Sequence, residues 1–339
     1  MKASTSFISP LECKKIVPFP ERHKENYLST LSSCIDLLNK KESRIALFLG
    51  PCSVHDEKEV LEYAYFLKEI QKELKEHFLI LMRVFVEKSR TKDGWKGFFY
   101  DPNLDFSYEI EKGVLQTRKL FSELIQMAIP IACELLDPFV VPYYRDFISW
   151  GFIGARTSSS QPHRQMVSGL RFPVGFKNGI DGDLLQAIYG TFAAQKRQGH
   201  LSLSEEGKIC KELTSGNPYT HLVLRGSTNA SNYDQESIAK ALSILERENL
   251  PQVLLVDCSH GNAKKTASLQ KEAFTSIIHQ IAAGNRSIRG VMLESFFQTG
   301  SQSLSVGGNL RKGLSVTDPC LGWEDTKELL YWALEKLNF

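Results

Sequence analysis

Short apolar runs alternate with longer amphipathic stretches along most of the chain. After residue 44, apolar runs such as IALFL are followed by stretches such as EKEVLEYAYFLKEIQKEL, in which apolar residues recur at helical spacing. This alternation is typical of strands and helices that build a parallel sheet. We predict eight strands, at residues 45–49, 78–82, 129–133, 147–155, 172–176, 221–224, 253–256 and 290–293.

Eight strand-and-helix units in succession predict the α/β class and a (β/α)8 TIM barrel. The alternating stretch HLSLS, residues 200–204, interrupts the fifth unit and predicts a small inserted β-hairpin. Residues 1–44 read as an N-terminal extension, an extended arm followed by one helix over LSTLSSCIDLL, and we expect it to contact another subunit. With no internal repeat or low-complexity linker, residues 45–339 are predicted to form one catalytic barrel.

Composition excludes several classes of protein. The 339 residues carry 41 Lys+Arg against 39 Asp+Glu, without a basic arm, so we expect no nucleic-acid or membrane partner. No apolar window reaches the length of a membrane span, and the N-terminus lacks the apolar core of a signal peptide, which predicts a cytoplasmic protein. The seven cysteines are scattered and form no C-x-x-C pair, which argues against a disulfide scaffold or a zinc ribbon.

Titratable side chains stand where the predicted strands end. In a TIM barrel these carboxyl ends converge on one face, which carries the chemistry. A single Arg or Lys there is usually a solvated charge, but four such cations, joined by Lys88 and Arg90, predict a ligand with more than one anionic group, including phosphate. The residues at the eight strand ends are Cys52, Arg83, Glu134, Arg156, Lys177, Arg225, His260 and Glu294.

Three of these strand ends, with one later loop, predict a metal site. Closure of the barrel brings the last strand beside the first, and so Glu294 and His260 near Cys52; Asp318 follows the eighth unit. A lone buried Cys or His is more often a core residue, but this mixed set suits one divalent Mn, Fe, Co or Zn ion. Strand alternation also predicts that Cys258 faces the same side as His260 and that Asp257 faces the other.

Ordered motifs then identify a resemblance. The chain resembles the metal-dependent type I 3-deoxy-D-arabino-heptulosonate 7-phosphate (DAHP) synthases, also called phospho-2-dehydro-3-deoxyheptonate aldolases. The motifs are GPCSVHD, RVFVEKSRT followed by GWKG, ISWGFIGART, PVGFKNGIDG, LRG, VDCSHGN, VMLES and VTDPCLGWED. The resemblance implies a transferase of the shikimate pathway that condenses phosphoenolpyruvate with erythrose 4-phosphate, a required divalent metal and a homodimer or homotetramer.

The resemblance also implies residue roles. It gives the same four metal ligands, Cys52, His260, Glu294 and Asp318. Lys88, Glu134 and His260 are the predicted catalytic residues, with Lys88 as proton donor and Glu134 orienting a water. The predicted substrate-binding residues are Arg83, Lys88, Arg156, Lys177 and Arg225 for phosphoenolpyruvate, and Arg90 and Thr91 for the phosphate of the sugar.

Some positions depart from the family pattern, and two alternatives stay open. Ser89 replaces a common proline, SHGN replaces SHAN, and Arg171 and Phe172 stand where small residues are frequent near an effector pocket. The first alternative is the related synthase that makes 3-deoxy-octulosonate 8-phosphate. The second is a non-catalytic barrel that binds an effector.

Overall fold

The first and last strands of the sheet pair with each other, which closes the barrel. The computed structural model of the chain describes residues 6–304 and 309–337. Residues 1–5 of the predicted extension, and residues 305–308 and 338–339 of the predicted barrel, lie outside the described residues. All neighbouring barrel strands run parallel. The barrel strands are β1 Ile45–Gly50, β2 Phe78–Arg83, β3 Ile131–Glu134, β4 Ile148–Ile153, β5 Val174–Lys177, β8 Thr220–Leu224, β9 Leu254–Asp257 and β10 Ile288–Glu294.

The predicted (β/α)8 fold is confirmed. The inserted hairpin is also present, as β6 Gly199–Leu203 paired antiparallel with β7 Ile209–Leu213. The described helices are α1 Pro10–Ile16, α2 Lys24–Leu38, α3 Glu57–Leu74, α4 Ile110–Gln126, α5 Gln161–Ser168, α6 Leu185–Ala194, α7 Gln235–Arg247, α8 Leu269–Ala282 and α9 Trp323–Leu337.

The connection from β3 to β4 departs from the regular pattern. It contains two short 3-10 turns, Val141–Tyr143 and Arg145–Phe147, in place of an α-helix. Helix α1 packs against the first of these turns. Tyr143 donates a hydrogen bond to the carbonyl of Ile8 over 2.7 Å, so the N-terminal segment covers the barrel where the regular helix is missing.

The predicted extended arm is wrong, because residues 10–16 are helical. Ser9 caps α1: its hydroxyl accepts from the Glu12 N–H, and the Glu12 carboxylate accepts from the Ser9 N–H, which is a capping box. Ser9 and Glu12 thus form a local helix signal inside the segment that we predicted as extended. The boundary between residues 44 and 45 stays a prediction.

Helix α2 closes the amino end of the barrel. Its residues Cys34, Leu37 and Leu38 join the cluster that fills the barrel interior, where Phe48 meets Trp150 edge to face. Arg289 donates to the Leu37 carbonyl over 2.9 Å and fixes the end of the helix. The carboxyl end of the barrel, opposite α2, therefore stays open to solvent.

The described residues were also searched for membrane-spanning helices and for disulfides. No helix in residues 6–304 or 309–337 is long and apolar enough to cross a membrane. The cysteines are all free thiols, and most are buried, as the sequence predicted.

Candidate active site

Strand register brings the first predicted ligands together. Gly50 of β1 pairs with Glu294 of β10, and Leu49 pairs with Met82 of β2, so Cys52 and Arg83 emerge beside Glu294. Gly50 has φ +153°, and a Cβ there would lie 2.5 Å from the Arg83 carbonyl oxygen. Only glycine lets β1 and β2 approach this closely at the mouth of the barrel.

A cavity of about 770 Å³ opens at the carboxyl end of the barrel. Glu134, Arg156 and Arg225 reach it from three different strand ends. Arg83 is fully buried and donates to Glu294 Oε1 over 3.1 Å, so it lies in the barrel interior next to the metal-ligand set. The predicted site residues that line the cavity are Lys88, Arg90, Thr91, Glu134, Arg156, Lys177, Arg225, His260 and Asp318.

Three predicted metal ligands converge. One ligand atom each from Cys52, Glu294 and Asp318 lies within 4.8 Å of the other two. The fourth predicted ligand borders this group, with His260 Nε2 3.6 Å from Glu294 Oε1. One thiol, two carboxylates and an imidazole form a donor set that fits a divalent transition metal.

Lys88 provides the positive charge next to these donors. Its Nζ donates to Cys52 Sγ over 2.7 Å. Burial lowers the pKa of Lys88, but Cys52, Glu294 and Asp318 outweigh burial and raise it overall, so the ammonium form is favoured. Burial and Glu294 raise the pKa of Cys52 to about 11 despite Lys88. Burial raises the pKa of Asp318, but the charges of Lys88, His260 and Lys265 outweigh burial and lower this pKa to about 2.

Asp257 joins two parts of the site. Its Oδ2 lies 2.8 Å from Lys177 Nζ and 3.0 Å from His260 Nδ1. The expectation that Asp257 faces away from His260 is therefore wrong, because β9 ends at Asp257 and His260 has a left-handed backbone with φ 55°. Cys258 is instead buried in the hydrophobic cluster that the barrel strands form with the surrounding helices.

Arg156 contacts the loop that carries Arg90. Its Nε and Nη2 donate to Thr91 Oγ1 over 2.9 and 2.7 Å, and its Nη1 donates to Ser89 Oγ over 3.3 Å. Ser89 thus supplies a hydroxyl acceptor that a proline at this position would lack. The loop and Arg156 form one polar rim of the cavity.

Glu87 was missed in the sequence analysis. It is buried beside Lys88 and accepts from the Tyr144 hydroxyl over 2.8 Å, while its Oε2 has no hydrogen-bonding side-chain or backbone partner among residues 6–304 and 309–337. Burial raises its pKa to about 8, with Tyr144 acting in the opposite direction and Asp137 and Glu134 adding to the rise. In the sequence, the only signal that Glu87 belongs to the site is its position next to Lys88 in the EKSRT stretch.

Together, the fold and the cavity define a (β/α)8 barrel of the enzyme type, with a cavity lined by cationic side chains and a group of potential metal donors at the carboxyl ends of its strands. The sequence profile described as the DAHP synthetase I family matches residues 20–331. Two curated relatives are phospho-2-dehydro-3-deoxyheptonate aldolases. The Tyr-sensitive one from Escherichia coli K12 is 40% identical, with 98% of this chain and 93% of the relative aligned. The Trp-sensitive one from Enterobacter agglomerans is 39% identical, with 98% and 95% aligned.

A solved structure agrees with these relatives. The phospho-2-dehydro-3-deoxyheptonate aldolase of Francisella tularensis SCHU S4 superposes with a TM-score of 0.96 at 36% identity, covering 99% of this chain and 98% of that one. This chain belongs to the DAHP synthetase I family. It is an enzyme of aromatic amino acid biosynthesis, a transferase that catalyses the aldol-type condensation giving DAHP. The predicted family and activity are confirmed.

Proposed function

We propose that the cavity at the carboxyl end of the barrel binds phosphoenolpyruvate and erythrose 4-phosphate and joins them with water. The observation that carries this proposal is a cavity lined by several cationic side chains and by Asp318, which belongs to the donor group with the buried Cys52 and Glu294. Arg156, Lys177 and Arg225 bind the phosphate and carboxylate of phosphoenolpyruvate, with buried Arg83 supporting them from the barrel interior. Arg90 and Thr91 bind the sugar phosphate.

One divalent ion, Mn, Fe, Co or Zn, completes the proposed site. Cys52, His260, Glu294 and Asp318 would hold it, because mixed thiolate, imidazole and carboxylate donors suit these ions better than Mg or Ca. When bound, such an ion acts as a Lewis acid toward the aldehyde oxygen of the sugar.

The chain's own residues position the reactants and move protons. C3 of phosphoenolpyruvate bonds to the aldehyde carbon, water adds at C2, and phosphate leaves from C2. Lys88 Nζ holds the proton that goes to the new hydroxyl, consistent with its raised pKa. Glu134 orients the water. The cations hold two anionic substrates in contact, which lowers the entropic part of the barrier.

The test is phosphate release from the two substrates before and after removal of metal by a chelator. We expect activity to disappear on chelation and to return with Mn²⁺ or Co²⁺. Full activity of demetallated protein would exclude the metal role. Parallel assays with arabinose 5-phosphate should give little product, which separates this reaction from that of the octulosonate enzyme.

The assembly is proposed to be a homodimer or homotetramer that uses the hairpin of β6 and β7. The hairpin turns its apolar side outward, with Leu201, Ile209 and Leu213 exposed to 76%, 73% and 58%. Its polar residues His200 and Glu212 line a second cavity of about 730 Å³ on the inner side. An exposed apolar surface of this kind is typical of a protein interface.

A cytoplasmic location of the protein also stays a prediction.

A further inference from the structure

Asp257 has a single well-defined set of contacts at the end of β9. It is fully buried. Oδ1 accepts from the Ser259 backbone N–H over 3.0 Å and from the Ser259 hydroxyl. Oδ2 lies between Lys177 Nζ and His260 Nδ1, at 2.8 and 3.0 Å. Because both oxygens face N–H or O–H donors, the carboxylate is held in one orientation.

The contact with His260 decides which ring nitrogen is available to a ligand. A neutral imidazole carries one N–H. Asp257 Oδ2 lies 3.0 Å from Nδ1, and the Ser259 hydroxyl, whose proton goes to Asp257 Oδ1, places its oxygen 2.7 Å from Nδ1 as a second acceptor. Both contacts, set by the Asp257 carboxylate, favour placing the N–H on Nδ1. The lone pair then lies on Nε2, which is the nitrogen that faces Glu294 Oε1 at 3.6 Å. The opposite tautomer would point an N–H at the metal donors.

The contact with Lys177 orients a second site residue through the same oxygen. Lys177 is buried, with its ammonium 5.7 Å from the ring centres of both Phe85 and Phe152. A buried ammonium needs a compensating charge, and Asp257 supplies it. One carboxylate oxygen thus contacts a predicted metal ligand and a predicted phosphoenolpyruvate ligand.

We infer that Asp257 is a positioning residue that fixes the Nδ1–H tautomer of His260 for metal binding and holds Lys177 beside it. This inference rests on the proposed function, in which His260 binds the ion and Lys177 binds phosphoenolpyruvate. His260 lies between Asp257 and the donor group, with Nδ1 3.0 Å from Asp257 Oδ2 and Nε2 3.6 Å from Glu294 Oε1, so Asp257 acts through His260. Carboxylates that hold a metal-bound histidine in this way raise its basicity and fix its orientation.

The first experiment measures Co²⁺ binding to metal-free protein by visible absorption, without any substrate. Asp257→Asn keeps the size of the side chain but removes the charge, and we expect Co²⁺ affinity to fall roughly 10- to 100-fold. Asp101→Asn is the matched control, since Asp101 is also fully buried but bonds the Phe106 N–H. The control should bind Co²⁺ as the wild type does.

The second experiment reads the tautomer in the wild type itself and uses a variant only to assign the signals. Long-range ¹H–¹⁵N spectra of metal-free wild type at pH 8.5, with His260 assigned by comparison with His260→Ala, should show the Nδ1–H form. An Nε2–H form in the wild type, or Co²⁺ affinity of Asp257→Asn within about twofold of the wild type, would overturn the inference while leaving the metal site intact. A wild type that fails to bind Co²⁺ would instead overturn the metal assignment of the proposed function, and this inference with it.

Discussion

Lys88 donates a hydrogen bond to the thiol of Cys52 over 2.7 Å, which places a proton-carrying ammonium directly at the predicted metal ligands. The two residues come from the ends of neighbouring strands. An ammonium in this position can deliver a proton to an oxygen bound next to Cys52.

Lys88→Met should therefore lower kcat by roughly 10²- to 10⁴-fold, the usual contribution of a general acid. Co²⁺ binding should survive, because the four donors remain. Steady-state rates and Co²⁺ titrations check the two halves. Lys96→Met, an exposed lysine of the same segment, is the control; a kcat of Lys88→Met close to that of this control would contradict the role.

Arg156→Ala should weaken phosphoenolpyruvate binding by roughly 10- to 100-fold, as expected for loss of a charge-assisted hydrogen bond worth about 1.5–3 kcal/mol. Calorimetry of phosphoenolpyruvate binding measures this directly. Arg171→Ala removes an exposed arginine outside the cavity and should leave affinity unchanged. Equal affinities for the two variants would remove Arg156 from the site.

Glu87 should make folding less favourable as pH rises. Its folded pKa is about 8, above the roughly 4.3 of an unfolded glutamate, so between these values the folded chain holds a proton that the unfolded chain has released. The stability contribution is complete below the unfolded pKa and is lost as pH rises toward 8. The groups facing Glu87 are Tyr144, Asp137, Glu134 and the Leu136 backbone.

Glu87→Gln cannot release a proton, so its Tm should fall less between pH 6 and pH 9 than that of the wild type. We expect a difference of roughly 2 °C or more, since 1 kcal/mol corresponds to about 2–4 °C in chains of 150–250 residues. Thermal melts of both proteins at the two pH values give the comparison. Parallel curves would show that Glu87 is ionised at neutral pH.

Cys52 and Cys320 should form a disulfide in metal-free protein exposed to air. The backbone N–H of Cys52 lies 3.4 Å from Cys320 Sγ, and both side chains are fully buried together. Mass spectrometry should show the loss of two hydrogens as activity falls. Cys320→Ser should resist this inactivation, and two free thiols in inactivated wild type would contradict the prediction.

The hairpin face should be required for assembly. Leu201→Glu combined with Ile209→Glu places charges on the exposed apolar side, which should convert the protein to a 38.3 kDa monomer measured by light scattering. Tyr65→Glu changes an exposed aromatic residue on α3 and should leave the mass of the assembly unchanged. A wild type that is itself monomeric would refute the proposed interface.

The barrel and much of the candidate site could be predicted from the sequence because both depend on regular patterns. Apolar runs marked the strands to within a few residues, and closure of the barrel predicted that Cys52 and Glu294 would meet. Asp257 was misplaced because strand alternation stops where the strand ends, and the left-handed turn at His260 has no glycine to signal it. Glu87 was missed because its hydrogen-bond partner Tyr144 lies 57 residues away in the sequence.

The docking of α1 over the β3–β4 connection sets an order on folding during synthesis. Residues near Ile8 are translated before their partner Tyr143, which lies 135 residues later, and the Val17 carbonyl accepts from Arg118, which lies 101 residues later. Contacts over such separations form slowly, because the intervening chain must be ordered first. The segment around Ile8 therefore cannot take its native place until about half of the barrel has been synthesised.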